Sequence, residues 1–257
     1  MKNTILIKPS SNLSVIMQTN IKKRQKFNLM KTNFFFLIPL AFAFSLLFSS
    51  CRKEIEISEE DVVESIEATL KTNGSEDMAL ISTPYKAAAC GFTNDTTVTK
   101  SVSGTDFNWS RTANWNWVVN CDSNNAYNNV VFTESGTSAF EGPRLAWTAT
   151  HGGSFTVSNL LVSEANYIVN GNMTRNASGT ITSRRRSENY SSTVVHNWTN
   201  INVNKDSRSI VSGTGTVNYS GSIAGNIITR TGTIVYNGNG TATLTMDNGN
   251  VFTIQTR

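Results

Sequence analysis

Apolar and polar residues alternate along a segment that begins near residue 107. The apolar side chains share odd positions, which are Phe107, Trp109, Ala113, Trp115, Trp117, Val119 and Cys121. Asn, Ser and Thr fill most of the even positions between them. Successive side chains of a β-strand point to opposite faces of the sheet, so this pattern predicts a strand or hairpin with one buried face and one solvated face.

Short runs of the same kind continue to the end of the chain. The further predicted strands are Asn129–Glu134, Arg144–Thr150, Ser154–Val162, Asn166–Thr174, Gly179–Arg185, Ser192–Val203, Ser209–Tyr219, Ser222–Thr229, Thr233–Tyr236, Thr241–Met246 and Val251–Thr256. Turn sequences lie between or beside some of them, namely Asn170-Gly171, Asn237-Gly238 and Asp247-Asn248-Gly249. No helical period intervenes from Ser82 onward. The pattern therefore predicts an all-β domain, an antiparallel meander that forms a sandwich or an open barrel.

One helix is predicted ahead of the strands. Ser58 precedes three acidic residues, a sequence that caps a helix and suits the positive end of its dipole. Val62, Ile66 and Leu70 then recur at helical spacing and give one apolar stripe. We predict a short helix over 58–70 and place it in an acidic tether, residues 51–80, that leads into the β-domain of residues 81–257.

An uncharged run from Phe34 to Phe48 lies nearer the beginning of the chain. A membrane-spanning helix needs about 20 apolar residues, so this run is too short and instead suits the core of a secretory signal. Residues 1–50 are accordingly interpreted as a signal peptide, with Met30 as the natural start. Whether residues 1–29 are translated stays open.

The segment from Phe48 to Cys51 resembles a bacterial lipobox, in which the signal is cut before a cysteine that then carries lipid. Cys51 is therefore predicted to be the lipidated first residue of the mature protein, and several acyl chains would anchor it to a membrane. The expected location is the outer membrane, on either its periplasmic or its cell-surface face.

The net charge changes when the signal is set aside. The chain carries 22 Lys and Arg against 18 Asp and Glu, or +4. Seven of the basic residues and none of the acidic ones precede Cys51, so the part from Cys51 onward has 15 against 18, or −3. This balance gives no reason to expect nucleic acid as a partner. The acidic residues behind Cys51 resemble the surface-export signal of Bacteroidetes lipoproteins, and a solvated stalk is the equal alternative.

Several short blocks resemble a group of uncharacterised exported lipoproteins of Bacteroidetes. These blocks are Ser135-Gly136-Thr137, Gly142-Pro143-Arg144-Leu145, Ser212-Gly213-Thr214 and the segment from Asn237 to Leu244. The resemblance implies a β-rich exported lipoprotein. It implies no activity and no binding residues.

Catalytic and metal-binding motifs are not recognisable in the sequence. The two histidines, His151 and His196, stand far apart, and no HExxH, GxSxG or P-loop occurs. We therefore predict no catalytic residue, no metal and no cofactor, and lean away from an enzyme. Arg184 and Arg186 belong to the densest basic cluster and could contact an anionic ligand, whereas charges on an edge strand are the simpler explanation.

Cys90 and Cys121 are the two cysteines that remain after Cys51. An exported compartment permits oxidation, so we predict a disulfide between them. It would join the segment before the first predicted strand to the end of the tryptophan-rich one.

Three classes of function are compatible with these features. The first is a lipid-anchored structural or interaction module of the outer membrane, with a surface protein or a polysaccharide as partner. The second is a carbohydrate-binding accessory lipoprotein, with Trp109 and Trp147 among the possible ligand contacts. The third is a hydrolase with an unrecognised site. A flat row of exposed tryptophans would favour the second class, but the alternation predicts that Trp115 and Trp117 lie in the core.

Overall fold

The described chain forms one helix followed by ten strands. The computed structural model describes residues 57–73, 89–105, 107–183 and 186–256. The elements are α1 (Glu59–Asn73), β1 (Thr93–Ser103), β2 (Asn108–Cys121), β3 (Tyr127–Glu141), β4 (Leu145–Ser158), β5 (Asn166–Ser183), β6 (Arg186–Asn204), β7 (Ile210–Ile223), β8 (Asn226–Gly238), β9 (Thr241–Met246) and β10 (Val251–Gln255).

All ten strands belong to a single sheet. Each strand pairs antiparallel with its neighbours in sequence, so the spatial order runs from β1 to β10 without a crossover. No pairing joins β1 to β10 within the described residues, and the sheet is not closed. The predicted all-β antiparallel meander with a preceding helix is confirmed. The strands form one open sheet and are not divided between two stacked sheets.

One side of the sheet, which we call the inner face, holds the apolar core. The predicted burial of the odd-numbered side chains of β2 is confirmed, since Trp115 is 3% exposed and Trp117 is 7% exposed. The Trp115 ring lies 6.3 Å from Phe132 and 5.9 Å from Phe155, and Phe155 stacks on Trp198 at 4.7 Å. An aromatic layer therefore runs from β2 to β6, and burial of each large side chain contributes about 1.5–3 kcal/mol.

Helix α1 packs on the inner face. Val62, Ile66 and Leu70, the predicted apolar stripe, are at most 2% exposed. The predicted cap is also present: Ser58 Oγ accepts from the backbone N–H of Asp61 at 3.2 Å, and the Asp61 carboxylate accepts from the Ser58 backbone N–H at 2.9 Å. This reciprocal arrangement satisfies donors that the first turn leaves free. The helix starts at Glu59, one residue after the predicted start, and ends at Asn73, three residues after the predicted end.

Polar contacts also attach α1 to the sheet. Arg144 lies 3.3 Å from the Asp61 carboxylate, and Asn250 Nδ2 donates to Glu59 at 2.6 Å. One compact unit spans Lys53–Arg257. The helix therefore packs against the sheet and belongs to the same compact unit.

The strands are longer than the sequence suggested. The predicted strand 166–174 and the described part of the predicted strand 179–185 belong to one strand, β5, and the expected Asn170-Gly171 turn is a bulge within it. The Asn170 side-chain oxygen accepts from the backbone N–H of Asn200 at 2.8 Å, which replaces a ladder bond at the bulge. Asn and Gly often form turns. Here they form a bulge instead, because the residues on both sides of them continue to pair with β6.

Strand β1 was not predicted. Its sequence, TNDTTVTKSVS, contains two apolar residues, and most of its positions are exposed. An edge strand of this kind has too few apolar residues for an alternating pattern. Pairing with β2 and the packing of Val98 against the core hold it in place.

The predicted disulfide is confirmed. Cys90 and Cys121 are bonded, with their Cα atoms 5.6 Å apart, which is within the usual range for a disulfide. The backbone N–H of Gly91 donates to the Val119 carbonyl at 2.8 Å beside it. The bond therefore fixes the segment before β1 to the end of β2, as expected.

Candidate functional site

The outer face of the sheet, opposite the core, presents short polar side chains in rows that cross the strands. One row, which we call the threonine row, follows the pairing register through eight strands and consists of Thr99, Thr112, Thr137, Thr150, Asn176, Thr193, Ser220 and Thr229. The next row, the serine row, consists of Ser101, Ser110, Ala139, Thr148, Ser178, Ser191 and Ser222.

These rows form a regular array of hydrogen-bonding groups. Adjacent strands lie about 4.8 Å apart, and alternate residues of one strand lie about 6.7 Å apart. Within the threonine row, Thr99 and Thr112 hydroxyls are 3.2 Å apart, and Thr193 Oγ1 donates to Asn176 Oδ1 at 2.9 Å. Each hydroxyl both donates and accepts, so the array can bind a ligand that does the same.

Depressions follow the two rows across the sheet. One of about 650 Å³ lies along both rows from β1 to β5, and one of about 570 Å³ lies on the other side of the serine row. A third of about 400 Å³ continues from Asn176 to Ser222. Lining residues such as Ser138 and Ala149 point their side chains to the inner face, so their backbone forms the floor. We call these three depressions the outer groove.

The walls of the outer groove are almost uncharged. No member of the threonine or serine row is ionisable. The charged residues that line the depressions are Glu141, at the end of β3, and Lys100 and Arg111, whose positions have the parity of the inner face; Arg111 is 3% exposed. The site is thus suited to a neutral polar ligand rather than an anion.

A charged cluster lies on the other side of the same strands, in the core. Arg111 on β2 and His151 on β4 both contact Glu134 Oε1, at 2.8 Å from Arg111 Nη2 and 2.6 Å from His151 Nδ1. The three side chains are at most 3% exposed. Gly136 lies between them, and a Cβ there would stand 2.6 Å from His151 Cε1. The absence of a side chain at Gly136 makes room for the imidazole.

The cluster keeps Glu134 ionised. Burial raises the pKa of Glu134, but the hydrogen bond from His151 and the charge of Arg111 outweigh it and hold this pKa below its ordinary value. Glu134 and His151 have the side-chain types that general acid–base catalysis uses. Because neither side chain is exposed, a substrate in solution cannot reach them, and the arrangement acts as a buried ion-pair network.

A second buried cluster joins the helix to the sheet. Arg175 on β5 is 0% exposed, its Nη2 donates to Ser65 Oγ at 2.6 Å, and its guanidinium lies 4.4 Å from the Trp147 ring centroid. Burial lowers the pKa of Arg175 to about 10. The Tyr190 hydroxyl lies 3.1 Å from the same Ser65 hydroxyl. Arg175 is therefore held by a hydroxyl and an aromatic face.

His196 belongs to a neutral polar group farther along the core. Trp198 Nε1 donates to the Tyr236 hydroxyl at 3.0 Å, and this hydroxyl lies 3.3 Å from His196 Nε2. Burial lowers the pKa of His196 to about 3, so the imidazole is neutral at physiological pH. His151 pairs across the ladder with Arg175, and His196 pairs with Met173. The two histidines thus lie in separate groups.

The residues that the sequence offered as ligand contacts are dispersed. Trp109 is partly exposed, near one end of the outer groove. Trp147 is 3% exposed and stacks on Phe140 at 5.6 Å, so its ring packs in the core. Arg186 pairs with Glu188 at 2.8 Å. Arg184 and the predicted lipidation site, Cys51, lie outside the described residues.

Neither the rows nor the inner charged residues were predicted from the sequence. His151 shares its strand parity with Leu145, Trp147 and Phe155, and Arg175 shares its parity with Met173. Parity alone could therefore have placed both side chains in the core. The rows left no comparable signal, because they exist only once the register of every hairpin is known.

Comparison with known protein families, curated proteins and solved structures finds no match for this chain. In the part of the chain that the structure describes, no three His, Cys, Asp or Glu side chains are grouped so as to hold a metal ion. Across the same residues, no helix has the length and apolar character needed to cross a membrane.

Proposed function

We propose that this protein is a lipid-anchored, extracytoplasmic interaction module of the outer membrane, and that it binds its partner on the outer face of the sheet. The observation that carries the proposal is the contrast between the two faces. The inner face is occupied by the core and by α1, whereas the rows of the outer face expose an ordered polar surface across eight strands.

The anchor is the second part of the proposal. The apolar run that ends at Ser49-Ser50-Cys51 supports cleavage before Cys51 and its lipidation. The acidic segment behind Cys51 and the helix α1 would then place the sheet next to the membrane surface. Hydrolysis is not proposed, because the Glu134–His151 pair is closed to solvent.

The experiment compares the full chain with its Cys51→Ser variant in a bacterium that processes lipoproteins. We expect wild-type protein in the membrane fraction with acyl chains on Cys51 by mass spectrometry, and the variant outside that fraction. Detergent-purified wild-type protein should also sediment with isolated cell envelopes in a saturable manner. An unmodified Cys51, or no saturable sedimentation with envelopes, would contradict the proposal.

A further inference from the structure

We infer that the outer groove binds a linear, uncharged polysaccharide chain that lies across the strands. This inference rests on the proposed function and names the chemical class of the partner. Three features support it: the shape of the groove, the chemistry of its rows, and the lack in those rows of the side chains on which protein interfaces are centred.

The groove is long, narrow and periodic. The serine row crosses seven strands, from Ser101 on β1 to Ser222 on β7. Six strand spacings of about 4.8 Å give a length of about 29 Å. One strand spacing is close to the length of one sugar ring in an extended chain, so successive rings would meet equivalent side chains. A ligand of about six rings would fill the row.

The chemistry of the groove matches that of a neutral sugar. The threonine and serine rows provide hydroxyl and amide groups that both donate and accept hydrogen bonds. Their residues carry no charge, and the lining residues between them, which are Lys100, Arg111, Ser138 and Ala149, have the parity of the inner face. An ionic polymer would meet no opposite charge within the two rows, whereas the hydroxyls of a neutral glycan can pair with the hydroxyl and amide groups of the rows.

A protein partner suits the groove less well. Protein interfaces are centred on aromatic, Met or Arg side chains that fill pockets. The two rows contain none of these residue types, and their largest side chains are Thr and Asn. The aromatic and Arg residues that also line the groove have the parity of the inner face: Trp147 and Arg111 are 3% exposed, and Trp109 and Phe140 are half-buried. Depressions of several hundred Å³ also follow the rows, which leaves space for a chain.

Binding is tested with detergent-purified full-chain protein and defined polysaccharides. The neutral linear probes are cellulose, chitin and xylan, and the charged linear probes are alginate and heparin. We expect at least one neutral probe to bind and the charged probes not to bind. With soluble oligosaccharides of the neutral probe that binds, affinity should rise with chain length and level off near six rings.

Two pairs of variants locate the site. Ser178→Phe would block the serine row, and Thr150→Val would remove one hydroxyl of the threonine row without changing its shape. Thr233, an exposed residue of β8 outside both rows, supplies the matched controls Thr233→Phe and Thr233→Val. We expect at least tenfold weaker binding for Ser178→Phe and roughly 2- to 10-fold weaker binding for Thr150→Val. The controls should stay within twofold of wild type, and melting temperatures should confirm that all four variants fold.

The inference is overturned if no neutral probe binds, or if Ser178→Phe and Thr233→Phe bind equally well. Its failure can be told apart from failure of the proposed function. If protease treatment of the envelopes abolishes sedimentation while the polysaccharides do not bind, the interaction module stands and its partner is a protein. If envelopes do not bind either, both proposals fail.

Discussion

Replacement of Glu134 by Gln tests whether the buried charges of the inner face hold the fold together. The substitution keeps the size of the side chain and removes the charge that faces Arg111 at 2.8 Å and His151 at 2.6 Å. Because the three side chains are shielded from water, loss of one partner leaves a buried guanidinium opposite a neutral group. Disruption of such a pair typically costs about 3–5 kcal/mol.

The structure offers a matched control on β6. Arg186 and Glu188 lie at the same 2.8 Å, but their side chains are 39% and 26% exposed. An exposed pair of this kind contributes about 0–1 kcal/mol. Glu134→Gln should therefore lower the melting temperature by roughly 6–20 °C, and Glu188→Gln by no more than about 4 °C, at about 2–4 °C per kcal/mol for a domain of this size.

The pH dependence supplies a second measurement. The pKa of Glu134 lies below its ordinary value in the folded protein. The stability contributed by the ionised carboxylate is thus fully present above the ordinary pKa of about 4.3. It is lost as the pH falls through the lowered pKa of the folded state. In urea unfolding at a series of pH values, the gap between wild type and Glu134→Gln should narrow on acidification. Equal stability of the two Gln variants at pH 7, or a gap that widens in acid, would refute this reasoning.

Three further substitutions or treatments have defined outcomes. Trp115→Ala should cost about 3–5 kcal/mol in urea unfolding, because its buried ring contacts the aromatic layer; wild-type stability would contradict the core position. Gly136→Val should lower the free energy of unfolding by about 1–3 kcal/mol, since the new side chain meets His151, and an unchanged unfolding midpoint would show that the space is not needed. Reduction of the Cys90–Cys121 bond should cost about 2–4 kcal/mol, and two thiols reactive in the unreduced, denatured protein would show that the bond does not form.

Local patterns in the sequence were sufficient to predict the elements that pack. The alternation from Trp109 to Val119 predicts which face of β2 is buried, and Ser58 with its acidic neighbours predicts the start of α1. Both patterns report on residues within one element. The strand β1 and the length of β5 were missed for the opposite reason. The stability of β1 comes from pairing with β2, and β5 continues through Asn170-Gly171 because β6 supplies a compensating hydrogen bond.

The candidate site depends on relations between strands that a single sequence does not specify. Thr99 and Thr229 stand at opposite ends of the threonine row, and seven antiparallel pairings connect them. A slip of one residue in any hairpin would turn the following strand's polar side chains to the core. Short polar side chains were visible throughout the sequence, but their alignment into rows was not. For this reason the ligand contacts proposed from the sequence included tryptophans, and most of the tryptophans are buried.

The inner polar contacts also explain how α1 finds its position on the sheet. The stripe of Val62, Ile66 and Leu70 repeats every helical turn, so apolar burial alone would permit the helix to shift by one turn. Ser65 accepts a hydrogen bond from the buried Arg175, and Asp61, one turn earlier, faces Arg144. A shift by one turn would move Asp61 away from Arg144 and bring Asp61 or Thr69 opposite Arg175 in place of Ser65. A buried charge adds little net stability, but loss of the Asp61–Arg144 pair penalises the alternative positions. We infer that these contacts set the register of α1, whereas its apolar stripe provides most of the binding energy.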